Sequence, residues 1–351
     1  MSNTTVLLKE SSPYGKLATS NFEVKKTDKL PTEADLSPNE IVVRNRYISI
    51  DPYLRNRMTG TDGSYIGSYK PGEPITSIGV GEVAASLNAD YPVGTKVLTP
   101  SSPWSTYAVY DPVKMAQSPL TQLNKLEGPL ADVPLDWHVG VLGMPSFTAW
   151  YGLLEIGKPK AGETLVVSAA SGAVGQAVVQ LGKSLGLRVV AAAGTDEKVA
   201  YLKDTLKIDA AFNYKTVDDY TKTLKELCPK GIDIYFDNVG GEFLDAVLAN
   251  INRCARIAAC GAISQYEKSK SEQYGIKNLM SVVGNEVTFQ GFIISPYYPT
   301  HYAKFAQDIV QRVKSGSFNY KLDITKGIEN APQAMMKVME GRNFGKTIVE
   351  V

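Results

Sequence analysis

The chain has 351 residues, 44% hydrophobic and 21% charged, with 37 Lys and Arg against 36 Asp and Glu for a formal net charge of +1. That length allows two globular domains, each with its own core, and the balanced charge offers no attraction to nucleic acid or to an anionic membrane. No apolar run is long enough to cross a bilayer, and the opening MSNTTVLLKESSPYGK lacks the basic-then-apolar order of a signal peptide, so a cytoplasmic location is expected.

Cys228, Cys254 and Cys260 are odd in number and confined to the latter half. They do not form a disulfide framework, and reduced thiols are expected.

As far as about Leu142, short strand-like pieces (Glu40 to Val43, Gly79 to Ala84, Lys96 to Leu98, Ser105 to Val109) alternate with Pro, Gly, Asn and Asp turns. This predicts an irregular, mostly β domain. At PSFTAWYGLLEIG the pattern turns helical, with Thr148, Tyr151 and Leu154 on neighbouring faces.

The segment TLVVSAASGAVGQAVVQLGKSLGLRVVAAAG then runs from an apolar strand (Leu165 to Ser168) through a small-residue turn into a helix and on to a second apolar strand. The helix carries Val174, Val178, Leu181 and Leu185 on one stripe, so the unit is βαβ. Its turn, Ala170-Ser171-Gly172-Ala173-Val174-Gly175, is a dinucleotide fingerprint with Ala in the first glycine's place. Gly172 lets backbone approach a pyrophosphate, Gly175 lets helix pack on strand, and the helix start offers N–H groups and a positive dipole end.

Downstream, KVAYLKDTLKI is predicted helical, AAFNY a strand and VDDYTKTLKELC a helix. IDIYFDNVGG is a strand with its turn, FLDAVLANI a helix, and RIAACGA and VTFQGFII are strands. The class is α/β, a Rossmann-type doubly wound parallel sheet over 142–320. A mostly β domain over 1–141 takes in 321–351, whose closing helix and strand return to it. Ligands bind beyond the carboxyl ends of such strands, which groups Gly194, Asn238, Cys260-Gly261-Ala262 and Phe292-Ile293 around one crevice.

About 20 residues past the fingerprint, an NAD enzyme carries a carboxylate for the ribose 2′-OH. Here that ground is Ala193-Gly194-Thr195, followed by Lys198. The missing carboxylate and the added cation point to an adenosine 2′-phosphate, although Asp196-Glu197-Lys198 is also what a solvated helix start looks like.

These residues, with SIDPYLRNRM, GMPSFTAWYGLLEIG, GTDEKVAYL, FNYKT, FDNVGGEFLD, CGAISQY and NFGKTIV, resemble the zinc-independent medium-chain dehydrogenases/reductases. The branch is that of leukotriene dehydrogenase/prostaglandin reductases and alkenal double-bond reductases, and the likeness runs from about Ser49 to the C-terminus. It implies a GroES-like first domain and an NADPH-dependent reduction of a C=C bond conjugated to a carbonyl in a small hydrophobic substrate. It also implies a homodimer joined near VTFQGFII. By motif, Lys198 and Tyr214 would hold the 2′-phosphate, and Met144, Thr148, Asn238 and Asn343 would line the cofactor's path, with Ser171, Gly172, Ala173, Val174 and Gly175 at the pyrophosphate. Two places depart from the family pattern: Ser146 stands for an expected glycine, and Ser295-Pro296-Tyr297-Tyr298 replaces the rim after the last strand.

No metal is expected. No cysteine precedes Cys228, Asp51-Pro52 stands where zinc alcohol dehydrogenases carry a cysteine, and Gly72-Glu73-Pro74 lacks their histidine. With only His138 and His301 in the chain, a Ser-His-Asp hydrolase also fails, and both histidines are taken as structural.

Enone reduction needs a hydride at the β-carbon, a donor for the enolate oxygen and a proton at the α-carbon. A tyrosine, with a reference pKa near ~10, keeps its proton at neutral pH and can donate. Tyr266 is the first candidate and Tyr53 the second, the alternative for Tyr266 being a packed loop residue. Tyr65, Tyr69 and Tyr297 are expected to wall an apolar substrate pocket. Quinone reduction and a non-catalytic NADPH-binding role are the competing functions.

Overall fold

The computed structural model describes residues 2–61, 66–117 and 121–351, in two compact units. The first comprises residues up to Gly143, Leu322–Asn343 and Thr347–Val351; the second is Met144–Lys321 with Phe344–Lys346.

In the first unit β1 (Asn3–Leu8) pairs antiparallel with β2 (Phe22–Thr27). There follow β3 (Ile41–Ser49), α1 (Leu54–Arg57), β4 (Thr76–Ser86), β5 (Lys96–Pro103), β6 (Tyr107–Tyr110), α2 (Pro112–Met115), β7 (Asn124–Lys125) and α3 (Leu135–Val139). β3 and β4 are buried on both faces, with Ile41, Val42 and Val43 buried in succession, and Gly81 meets Arg44 so closely that a Cβ there would lie 2.5 Å from its carbonyl oxygen. The core gathers Val6, Leu8, Ile48, Ile50, Trp104 and Met335, and the indole of Trp104 donates to Ser77 Oγ at 2.9 Å.

The second unit opens with α4 (Met144–Tyr151), which runs into a π-helical stretch, Gly152–Gly157. Then come β8 (Thr164–Val167), α5 (Ala173–Ser184), β9 (Arg188–Ala193), α6 (Asp196–Ala200) with a π-helical continuation Tyr201–Thr205, β10 (Ala210–Asn213) and α7 (Tyr220–Leu227). The run ends with β11 (Ile232–Asp237), α8 (Gly241–Leu248), β12 (Ile251–Ala259), α9 (Met280–Gly284), β13 (Thr288–Gly291) and α10 (Tyr298–Lys314). The sheet is parallel, in the order β10-β9-β8-β11-β12-β13. Strand order reverses between β8 and β11, the switch point at which open α/β sheets leave a crevice. Covered on both faces, β8 is buried at every residue, with Leu165–Val167 an apolar run after Thr164.

The C-terminal part adds β14 (Leu322–Lys326), α11 (Ala331–Met339) and β15 (Lys346–Glu350), and β15 pairs antiparallel with β3.

Two expectations need correction, and one helix was not foreseen. The strand expected over VTFQGFII stops at Gly291, so Phe292–Ile294 lie past its end. Ser295–Tyr297 is a single 3₁₀ turn leading into the 17-residue α10, a helix that the prolines Pro296 and Pro299 disguised. The stripe on α5 is too narrow: Gln176 and Gln180 are buried as well, because the main chain of Asn319 and Lys321 hydrogen-bonds both amides.

Candidate functional site

The fingerprint turn is built by backbone. Ala169 takes a left-handed φ of 48°, Gly172 N donates to Ala169 O at 3.0 Å, and the first α5 bond runs from Gln176 N to Gly172 O. The N–H groups of Ala173, Val174 and Gly175 therefore have no acceptor within the helix, as at any helix start. A Cβ on Gly175 would sit 2.5 Å from both Ala169 O and Ala170 Cα, fixed backbone atoms, so only glycine fits. At Gly172 a Cβ would approach Ala169 O to 3.2 Å. Buried Ser171 accepts from Gly345 N at 3.1 Å, which lays the Phe344–Lys346 segment along the turn.

At the mouth of β9, Tyr214 N donates to Ala193 O, and the Tyr214 ring lies flush on Gly194, where a Cβ would be 3.1 Å from Tyr214 Oη. Burial pushes the Tyr214 phenol above its ordinary pKa. Thr195 caps α6, its Oγ1 accepting from Lys198 N at 3.3 Å. Asp196 and Glu197 are exposed, yet Lys198 is only 6% exposed. A solvated helix start thus describes the two acids and not the lysine.

At the ends of β8, β11 and β12 one hydrogen-bonded platform forms around Asp237. Its Oδ1 accepts from Tyr235 Oη (2.8 Å), Val239 N (2.9 Å) and Gly240 N (2.7 Å), and its carbonyl accepts from Cys260 N and Gly261 N. Burial raises the Asp237 carboxyl's pKa, only partly offset by the Gly240, Tyr235 and Val239 donors. Ser168 Oγ accepts from Asn238 N, and Asn238 Nδ2 donates to Ser168 O at 2.8 Å, which turns the amide oxygen Oδ1 away as the acceptor left for a ligand. Burial first, and the Asp237 charge second, raise the Cys260 thiol to about 12, so it stays protonated.

Two family models match, "N-terminal domain of oxidoreductase" over residues 5–118 and "Zinc-binding dehydrogenase" over 173–312. Among curated relatives, the 2-alkenal reductase (NADP(+)-dependent) of Nicotiana tabacum is 41% identical over 351 residues, covering 100% of this chain and 98% of that protein. The (+)-pulegone reductase of Mentha piperita is 42% identical over 311 residues, covering 89% and 87%. Among solved structures, CurA from Vibrio vulnificus in complex with NADPH superposes with a TM-score of 0.88 at 37% identity, over 99% of each chain. The chain belongs to the zinc-independent medium-chain dehydrogenases/reductases, in the double-bond reductase branch.

In this double-bond reductase the loop after β12 brings Tyr266 back over the strand end. Tyr266 Oη accepts from Ala262 N at 3.2 Å and lies where a Gly261 Cβ would be, 2.8 Å away. Ile263 N and Ser264 N donate to the carbonyls of Asn238 and Val239, so the Tyr266 loop and the Asn238 turn are joined. Thr148 donates its hydroxyl to Met144 O within α4 at 2.8 Å. Phe292 packs against Tyr151, Ile293 is 43% exposed, and Tyr297 stacks on Tyr151 at 4.0 Å between ring centroids. His301 meets both rings edge-on, and His138 Nε2 lies 3.0 Å from Leu130 O, both in structural settings.

The remaining candidates lie on the first unit. Tyr53 packs against its core, and Asn343 ends the Leu322–Asn343 segment. Tyr69 is 6% exposed beneath the Arg57 guanidinium, 4.0 Å from its ring, and its hydroxyl donates to Thr76 O. Arg55 donates to the carbonyls of Ser12 and Gly15, and Arg57 to that of Gly67. Tyr65 lies outside the described residues.

Sequence reasoning missed Ser168, Tyr235 and Asp237 as one unit. The available signal was a polar residue, Ser168 or Asp237, at the carboxyl end of each of two mostly apolar strands.

Proposed function

We propose that the protein reduces the C=C bond of small hydrophobic α,β-unsaturated aldehydes and ketones with NADPH and without a metal. The observation that carries this reading is the mouth of β9, where Gly194-Thr195 takes the place of a carboxylate and Lys198, whose N–H is capped by Thr195, is buried. The full-length likeness to a tobacco 2-alkenal reductase supports it.

The residues fit that cofactor. Gly175 lets the start of α5 pack against Ala169 and Ala170, Gly172 keeps the turn itself free of a side chain, and the N–H groups of Ala173, Val174 and Gly175 suit a pyrophosphate. NADPH supplies the hydride for the β-carbon when bound. Asn238 Oδ1 would accept a hydrogen bond from a ribose hydroxyl, with the Asn238 amide held by its bond to Ser168 O. Tyr266 donates a hydrogen bond to the oxygen that gains charge, or a proton to the α-carbon. Such a donor, positioned in advance in a water-poor site, needs no metal to stabilise an enolate.

The test follows NADPH consumption with conjugated enals and enones, their saturated counterparts and a quinone, with NADH in parallel. Consumption restricted to conjugated alkenes, yielding saturated carbonyls and favouring NADPH, is expected. Preference for the quinone would replace this reading, and binding without turnover across the panel would leave a non-catalytic NADPH protein.

We further propose a homodimer and a cytoplasmic location. β13 is an edge strand with every residue exposed, and beside it Leu279, Met280, Val283, Phe289 and Ile293 leave apolar surface bare. Light scattering on wild type and Phe289→Lys should show a dimer that dissociates in the variant. Among the described residues no helix is long and apolar enough to cross a membrane, and the three cysteines are free. Fractionation of cells expressing the tagged chain tests the location.

A further inference from the structure

We propose that Lys321 is a second cation for the adenosine 2′-phosphate, working beside Lys198 and setting the preference for NADPH over NADH; this rests on the NADPH reading above. The backbone of Lys321 is pinned to the first turns of α5. Gln176 Oε1 accepts from Lys321 N at 2.8 Å, Gln176 Nε2 donates to Lys321 O at 3.1 Å, and Lys346 N donates to the same carbonyl at 2.9 Å. Gly345, at a φ of 92°, lies so close that a Cβ there would be 2.2 Å from Lys321 O. The base of this side chain is therefore held against both the fingerprint helix and the segment bonded to the fingerprint turn.

Its charged end is held differently. The Lys321 side chain is exposed, and among the described residues its ammonium has no carboxylate partner. It sits 4.5 Å from the Phe344 ring centroid and 5.9 Å from that of Tyr201, and those two rings meet edge-to-face at 5.1 Å. Aromatic faces attract a cation without neutralising it. Tyr201 fixes which phosphate is in reach. It stands three residues after Lys198 on the same helical run, one turn along, and its hydroxyl donates to Gln176 Oε1 at 3.3 Å. Lys321 thus lies on the side of the fingerprint helix where β9 and Lys198 face the adenosine ribose, while the start of α5 serves the pyrophosphate. A phosphate monoester carries about −1.5 to −2 charge at neutral pH, more than a single lysine balances.

The experiment is calorimetric titration of the purified full-length protein with NADPH and with NADH, at two salt concentrations, for wild type, Lys321→Met, Lys321→Gln and Lys321→Arg. Expected are a roughly tenfold weaker NADPH affinity in both neutral variants and a shallower salt dependence. Lys321→Arg should restore wild-type affinity, and NADH binding should stay within about twofold throughout. Equal losses for NADPH and NADH, or none for either, would overturn the assignment. Failure of the wild-type protein to prefer NADPH at all would overturn the cofactor reading and this inference together, and is read separately from the variants.

Discussion

The buried hydroxyl of Tyr235 donates to Asp237 Oδ1 at 2.8 Å, two residues along β11, and the same hydroxyl lies 3.0 Å from Ser168 Oγ. One tyrosine thereby links the ends of β8 and β11, the two strands flanking the switch point. Burial, with the nearby Asp237 charge adding to it, pushes the Tyr235 phenol well above its ordinary pKa, so it keeps its proton and donates.

Removing the acceptor should therefore loosen the turn above it. Asp237→Ala leaves Val239 N, Gly240 N and the Tyr235 hydroxyl without their partner, at an expected cost of about 2–4 kcal/mol. Asp237→Asn keeps an acceptor oxygen and should lose less. Urea melts give the stability, and hydrogen exchange at Val239 and Gly240 should accelerate in the alanine variant. Unchanged protection there would refute the platform.

Glu163 provides a test by pH. Burial alone would raise its carboxyl, but the Arg256 guanidinium, bonded to both oxygens at 2.9 and 2.5 Å, and the Lys160 N–H hold it below the ordinary 4.5. Arg256 also donates to the carbonyls of Gly157 and Lys158, closing the exit of the π-helical stretch. A carboxyl whose folded pKa is depressed contributes stability that is fully present above its unfolded pKa and lost as pH falls through the folded one. Glu163→Gln should cost about 1–2 kcal/mol at neutral pH, and the gap to wild type should close below about pH 4. A gap that persisted in acid would mean the pair is not its source.

How far the sequence could be read depends on the range of each interaction. The fingerprint glycines are legible because their constraint is local: Gly175 abuts Ala169 and Ala170, six and five residues back. Lys198 stayed ambiguous because burial depends on what packs over a helix, and a DEK triplet looks the same covered or bare. Gln176 and Gln180 were invisible as anchors because their partners, Lys321 and Asn319, lie 145 and 139 residues away. β13 was read too long because Phe292-Ile293-Ile294 continues an apolar run that the backbone leaves at Gly291, and α10 was missed because Pro296 and Pro299 stand at its start.

Ser146 is fully buried on α4, and among the described residues its Oγ has no hydrogen-bond partner. Ala149 and Leu153 on the same helical run are equally buried, so the hydroxyl was desolvated without compensation. Ser146→Ala removes that cost and favours the helix, for a gain of about 1 kcal/mol. The melting temperature should rise by roughly 2–4 °C, with NADPH affinity unchanged. A fall in stability would show that the hydroxyl has a use in the folded protein.

The sharpest test of the chemistry lies at Gly261. A methyl group there would sit 2.8 Å from Tyr266 Oη, inside contact distance, so Gly261→Ala must drive the hydroxyl away from Ala262 N. If Tyr266 stabilises the developing enolate, displacing its hydroxyl should resemble deleting it. Gly261→Ala and Tyr266→Phe are then each expected to lower kcat/KM for an enone by roughly 10- to 100-fold. The double variant should be no worse than the weaker single, because both changes remove one interaction. NADPH affinity of Tyr266→Phe should stay near wild type, placing the loss in the chemical step. Wild-type turnover in Tyr266→Phe would end the case for this residue, and fully additive losses would mean that Gly261 acts on the cofactor independently.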